Sequence, residues 1–178
     1  MFLRRTVLLA AVWILVLHVV LQELRFPLFV LGPLDWSAHV ATALILLANL
    51  PLSTGHSFAT AALVAAMAID LDHVPGYLGT DILTAGTPRP YTHSLATVLL
   101  GAGAGAVLSG SARMIALGAA FGVLAHLLRD IATGDGVALL WPLTETGVRV
   151  PFWIEAAAIG ALAARAWQRG AELPHVRR

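Results

Sequence analysis

The sequence predicts an all-α, polytopic membrane bundle of about six transmembrane helices, with five as the alternative. Three observations carry this. Hydrophobic residues make up 58% of the 178 residues and charged ones only 12%, against ~45–50% and ~25% in soluble domains. Mean hydropathy is +0.82, and a soluble domain this small would lack the polar groups to cover its surface. The uncharged runs are long and are separated by short polar clusters, as in a multi-span chain. The same composition excludes an ordinary soluble enzyme, a disordered chain and a nucleic-acid module, which needs a basic surface. Cysteine is absent, which removes disulfides, zinc fingers and thiol catalysis and leaves His, Asp and Glu as metal ligands. Lysine is absent too, so every basic residue is Arg.

The spans follow from the runs. Thr6–Gln22 forms the first. Arg4-Arg5 ahead of it resembles a secretory leader, but no small-x-small cleavage site follows, so the helix is expected to be retained. Trp36–Ile69 is too long for one span and breaks at Asn49-Leu50-Pro51, giving helices near Trp36–Leu50 and His56–Ile69. Tyr91–Ala112 and Met114–Leu128 supply two more, and Pro151–Ala166 a sixth with Glu155 near its start. Gly134–Val150 reads as a loop, a re-entrant turn or an interfacial helix. Gly101, Gly103 and Gly105 and the Ala-rich stretch Ala59–Ala68 are packing residues that let helices approach closely.

The whole reads as one transmembrane domain over 1–167, with a polar, Arg-rich tail over 168–178 that meets anionic lipid. Six helices put both termini on one side, with Arg4, Arg5, Arg113, Arg165, Arg169, Arg177 and Arg178. Arg25, Arg89, Arg129 and Arg149 fall on the other. The excess of Arg places the termini in the cytoplasm of a plasma (inner) membrane protein.

Polar residues are costly in so apolar a chain, so their positions are informative. Asp35-Trp36-Ser37-Ala38-His39 opens the second helix, and Asp70-Leu71-Asp72-His73 closes the third. Thr92-His93-Ser94, behind Arg89, opens the fourth, and His126-Leu127-Leu128-Arg129-Asp130 closes the fifth. Counting spans puts all four clusters at the same membrane face, which the same Arg count makes the outer one. Asp35 with His39 and His126 with Asp130 are four apart, and Asp70 with His73 three apart, so each pair shares a helical face. Such spacing suits convergence on one or two metal ions. Singly, Asp35 reads as a helix cap, and His18, His56 and His175 stand apart as ordinary solvated or packed imidazoles.

Three blocks in order carry a resemblance. Asp70-Leu71-Asp72-His73, then Arg89-Pro90-Tyr91-Thr92-His93-Ser94, then His126-Leu127-Leu128-Arg129-Asp130-Ile131-Ala132-Thr133 with Gly136 and Pro142 resemble the YdjM-like family of membrane proteins inferred to be metal-dependent hydrolases. His39 fills the family's early His position. The resemblance covers roughly Asp35–Pro142, the metal-site core 35–142. It departs before Arg89, where the family often carries a His and this chain has Pro88.

The resemblance implies a divalent metal, zinc first with manganese or iron as alternatives, held by His39, Asp70, His73, His93, His126 and Asp130. The ion would make hydroxide available near neutral pH. Asp72 or Asp35 would act as general base or orient a ligating His, and Arg89 would hold an anionic group. The resemblance implies a hydrolase and no substrate; the place of the clusters at helix ends, near the interface, makes an ester or phosphoester bond of a lipid or lipid-linked substrate at the outer interface the expected target. No nucleic-acid partner is expected, and the oligomeric state is open. Two alternatives use the same residues: an ion or proton transporter with a His/Asp path, and a metal-stabilised membrane scaffold.

Overall fold

The computed structural model describes residues 2–51, 54–84 and 86–172. Its order is α1 (Phe2–Glu23), α2 (Leu28–Ala48), α3 (His56–Ala68), a 3-10 turn (Ile69–His73), α4 (Val74–Tyr77), α5 (Leu95–Val107), α6 (Gly110–Asp130) and α7 (Phe152–Glu172). It is an all-helical membrane bundle. Four helices among the described residues are long and apolar enough to cross a membrane: Leu3–Glu23, Phe29–Ala48, His56–Tyr77 and Gly110–Asp130. α5 is apolar but shorter, and α7 is long but carries Glu155, Arg165 and Arg169.

Several boundaries differ from those the runs suggest. α2 begins one helical turn or more before Trp36 and absorbs Pro33. A Pro one turn into a helix loses only one backbone bond, so the break falls at Pro27 instead. The run from Tyr91 to Ala112 is not one span. Its first residues form a loop, α5 ends at Val107, and the chain reverses at Leu108-Ser109, with Gly110 at φ 57°. α6 therefore starts before Arg113. α7 continues through Glu172, past Ala166, while His175, Arg177 and Arg178 lie outside the described residues.

α6 packs against α3, α5 and α2 at the centre of the bundle, and α1 closes one side against α2 and α7. Small residues permit this. A Cβ on Gly118 or Gly122 of α6 would overlap the backbone of Phe58 or Ala62 in α3. Apolar cores form between α1, α2 and α7 (Ile14, Ala41, Ile45, Ile159) and between α2, α3 and α6 (Ala43, Ala66, Ala125). Outward faces stay apolar: Leu9, Val16 and Val19 on α1 and Leu99, Leu100 and Val107 on α5 are exposed. In a bilayer those faces meet acyl chains rather than water.

The segment after α6 is a folded loop. Val137 and Val148 exchange backbone hydrogen bonds as an antiparallel bridge. Leu139 accepts from the Leu95 N–H, and Trp141 stacks on Tyr91. The 131–151 loop is thus fixed against the loop that leads into α5, and the two together cover the ends of α3 and α6.

Candidate metal centre

The four polar clusters meet at this end. α2 presents Asp35 and His39 on one face. Below Ala68 the α3 rod tightens to three residues per turn, which aligns Asp70 with His73. The loop before α5 supplies Arg89, Asp72's partner Thr92, and His93. The last turn of α6 supplies His126 and Asp130. The structure brings together every residue singled out in the sequence: Asp35, His39, Asp70, Asp72, His73, Arg89, His93, His126 and Asp130.

The innermost contacts have a regular spacing. His93 Nε2 and His126 Nε2 are 3.1 Å apart. Asp70 Oδ1 lies 3.4 Å from the first and 3.3 Å from the second. Asp130 Oδ2 lies 3.6 Å and 3.1 Å from the same two nitrogens. Ligands at ~2.0–2.2 Å from a tetrahedral ion stand ~3.3–3.6 Å from one another; three of these separations fall in that range and the two at 3.1 Å lie just under it.

The outer nitrogens of both rings are committed elsewhere. His126 Nδ1 lies 2.7 Å from the Ala66 carbonyl oxygen. A carbonyl only accepts, so Nδ1 carries the hydrogen. His93 Nδ1 lies 3.1 Å from Asp72 Oδ2, and Asp72 Oδ2 also accepts from the Thr92 hydroxyl. Both rings therefore turn Nε2 inward. Two Nε2 atoms this close cannot both carry hydrogens, and a cation between them would accept both lone pairs. A ligating His oriented by a carboxylate or carbonyl is a recurrent feature of metal sites.

The next layer extends the set. His39 is fully buried and stacks on His126, with ring centroids 3.6 Å apart. Its Nε2 lies 3.5 Å from Asp130 Oδ1 and 3.6 Å from Asp35 Oδ2. Neither His39 nitrogen has a hydrogen-bond partner, nor does Asp70 Oδ2, and Asp130 is held by ion pairs alone. Buried polar atoms are rarely left unpaired, and an ion is one way to satisfy them together. Three groups here have donor atoms close enough to hold one: His39, His126 and Asp130; Asp70, His73 and His93; Asp35, His39 and Asp70. His73 is the outermost, with Nε2 3.8 Å from Asp70 and 4.0 Å from Asp72.

Two arginines offset part of the charge of the four aspartates. Arg89 Nη1 is 3.2 Å from Asp130 Oδ2, and Arg129 Nη2 is 3.6 Å from Asp35 Oδ1. On the loop, burial would push the His93 imidazole down, but hydrogen bonds to Asp70 and Asp72 carry it above the ordinary histidine value. The carboxylates thus favour added positive charge at this point, whether a proton or a cation.

The deciding comparison is with families. The model for YdjM inner membrane protein matches residues 34–175. The chain belongs to the YdjM family. The YdjM match opens next to Asp35 and takes in every residue of the cluster, and with the apolar helices it makes this a membrane protein. No curated protein and no solved structure matches the chain.

Four further residues belong to this neighbourhood and were not singled out in the sequence. Arg129 is only 1% exposed and also reaches Glu155 Oε1 at 3.8 Å. His18, stacked on Phe152, and Arg149 border the same region. A charged residue inside an apolar run was the available signal for Arg129 and Glu155. His18 and Arg149 lie in segments remote in sequence, and only the packing of α1 and the 131–151 loop brings them here.

Proposed function

We propose that this YdjM-family protein is an integral-membrane, metal-dependent hydrolase that cleaves an ester or phosphoester bond of a lipid or lipid-linked substrate. The observation that carries the reading is the inward-facing pair of Nε2 atoms, 3.1 Å apart, each with its Nδ1 engaged behind it.

His93, His126, Asp70 and Asp130 would hold the ion, with His39 and Asp35 completing the set from α2. Mixed nitrogen and oxygen donors suit zinc first, and manganese or iron next. When bound, the ion supplies Lewis acidity and hydroxide near neutral pH. Asp72 Oδ2 takes both His93 and Thr92 and so orients a ligand, while its Oδ1 has no hydrogen-bond partner and faces His73 at 4.0 Å. His73 stands at the open edge, where it can accept a proton from water and return it to a leaving group. Arg89 can bind an anionic substrate group through its second amino group.

Substrate access supports a lipid. A groove of about 390 Å³ runs up to the cluster. Phe29, Leu31, Trp36, Leu71, Val74 and Tyr77 line it, and Asp35, Asp70, His73 and Arg89 form its polar end. An acyl or polyprenyl chain fits the first part, with the scissile bond at the second. A transporter would need ionisable groups through the depth of the bundle. The buried charged residues among those described (His39, His93, His126, Arg129, Asp130 and Glu155) instead gather at one end. The excess of Arg favours cytoplasmic termini and a site on the outer side.

The test is elemental analysis of detergent-purified protein, wild type beside His126→Ala. Stoichiometric zinc, manganese or iron in the wild type, lost in the variant, is the expected result. Turnover of lipid esters or phosphoesters should then stop on chelation and return with metal. No metal after chelator-free purification, and none taken up on addition, would overturn the proposal.

A further inference from the structure

A second cavity lies beside the metal cluster, between α1, the start of α2 and the 131–151 loop. Its volume is about 220 Å³, below the ~300 Å³ at which pockets for drug-sized ligands begin. Its polar walls are Arg89, Arg129 and Arg149 with His18, Gln22 and Thr133, against a single acid, Asp35. The guanidinium of Arg129 is almost wholly buried, yet its Nε and Nη1 have no hydrogen-bond partner. Arg149 is exposed at the cavity's edge and has no ion pair among the described residues. Arg89 already faces Asp130, and Arg129 faces Asp35 and Glu155, yet the buried Arg129 donors remain without hydrogen bonds and Arg149 adds a third guanidinium, which an anion in the cavity would satisfy. Guanidinium groups match the paired oxygens of a phosphate.

We propose that this cavity is an oxyanion subsite for a phosphate group, either free or carried by a lipid headgroup. It shares Leu31, Asp35 and Arg89 with the apolar groove. One amphiphile can therefore lay its chain in the groove and its phosphate among the arginines, with the cluster of Asp70 and His73 between. The choice of substrate class, a phosphate-bearing amphiphile, rests on the hydrolase reading. The binding of phosphate does not.

The test is calorimetric titration of inorganic phosphate into detergent-purified wild type, Arg149→Gln, Arg149→Lys, His18→Gln and His126→Ala. Unfolding midpoints are read in parallel, in phosphatidylcholine nanodiscs with and without phosphatidic acid. Saturable binding by wild type should weaken about tenfold in Arg149→Gln, as losing one charge-assisted contact predicts. It should recover in part in Arg149→Lys. His18→Gln should weaken it also, and serves if Arg149→Gln does not fold. A midpoint raised by phosphatidic acid in wild type but not in Arg149→Gln assigns the subsite to a headgroup, and a response to inorganic phosphate alone assigns it to the free ion. Binding lost in His126→Ala but intact in Arg149→Gln would put the anion on the metal, overturning the subsite and leaving the hydrolase reading in place. Metal-free wild type whose phosphate binding falls only with Arg149→Gln would do the reverse. No binding of either probe by folded wild type would overturn the subsite.

Discussion

His126 Nδ1 lies 2.7 Å from the carbonyl oxygen of Ala66, and that contact exists because α3 changes its winding there. The α-helical part of α3 ends at Ala68, and the next N–H, of Ile69, still reaches back four residues to Ala65. Beyond it the chain tightens to a 3-10 turn, whose N–H groups reach back only three. Ala66 is the carbonyl passed over by the change, and the imidazole takes it. The same tightening aligns Asp70 with His73, so one local irregularity both orients a ring and presents a carboxylate.

That contact depends on how closely α6 approaches α3. Phe58 against Gly118 and Ala62 against Gly122 form successive steps of the interface, and Ala66 against His126 is the next. Gly122→Val should force the helices apart, costing about 1–3 kcal/mol by overpacking. Metal content should fall with it, because His126 loses the group that fixes its ring. Gly103→Ala, where a Cβ meets nothing within 4 Å, is the matched control and should leave both unfolding midpoint and metal content at or above wild type. Equal metal content in a folded Gly122→Val would show that the Ala66 contact is dispensable.

Asp72 stands behind His93 as Ala66 stands behind His126. Asp72→Ala should leave the fold intact and weaken metal affinity by roughly 10–100-fold, the usual effect of removing a partner behind a ligating His. Competition with a chromogenic chelator measures it. An unchanged affinity would mean that Asp72 does not orient His93, and would return it to the candidates for a proton carrier.

Arg129 joins Asp35 on α2 to Glu155 on α7 from inside the bundle. Removing one member of a buried charge set costs about 3–5 kcal/mol, because the others are left without a partner. Arg129→Met should therefore unfold at markedly lower denaturant. Adding Glu155→Gln should restore part of the loss, since the carboxylate that Arg129 served is gone. A double-mutant cycle by chemical unfolding gives the coupling directly, and strict additivity would mean that the pair does not interact.

The His/Asp pairs were legible in the sequence because helical periodicity fixes which residues share a face. Asp35 with His39 and His126 with Asp130 need no tertiary information. Their convergence was legible once the spans were counted, since odd and even helix ends alternate between membrane faces. The start of α2 was not legible. Gly32-Pro33 has the composition of a break, yet α2 runs through it, with Pro33 as its sixth residue. The run Tyr91–Ala112 misled for the opposite reason: absence of charge says nothing about where backbone must turn, and the Thr92-His93-Ser94 loop is held by Leu139 and Trp141 from a distant segment. Arg149 and His18 were invisible for the same cause, as nothing local marks a residue whose role is to face another loop.

The opposite end of the bundle offers a test of whether the site depends on global stability. Arg169 of α7 donates to the carbonyl oxygens of Asn49 and Leu50 just beyond α2, at 2.5 and 3.1 Å. The Asn49 amide in turn donates to Ile45 and Leu162. These bonds satisfy carbonyls that the helix end leaves unpaired. Along α2, Asn49 is about 20 Å from Asp35 at the usual helical rise, far from the His/Asp cluster. Charge-assisted bonds of this kind are worth about 1.5–3 kcal/mol. Arg169→Ala should lower the unfolding midpoint accordingly, while metal content and affinity stay at wild-type values in the folded protein. Metal lost in proportion to stability would mean instead that the ligand geometry is held by the packing of the whole bundle. The short contacts around Ala66, Asp72 and the 3-10 turn would then be its consequence rather than its cause.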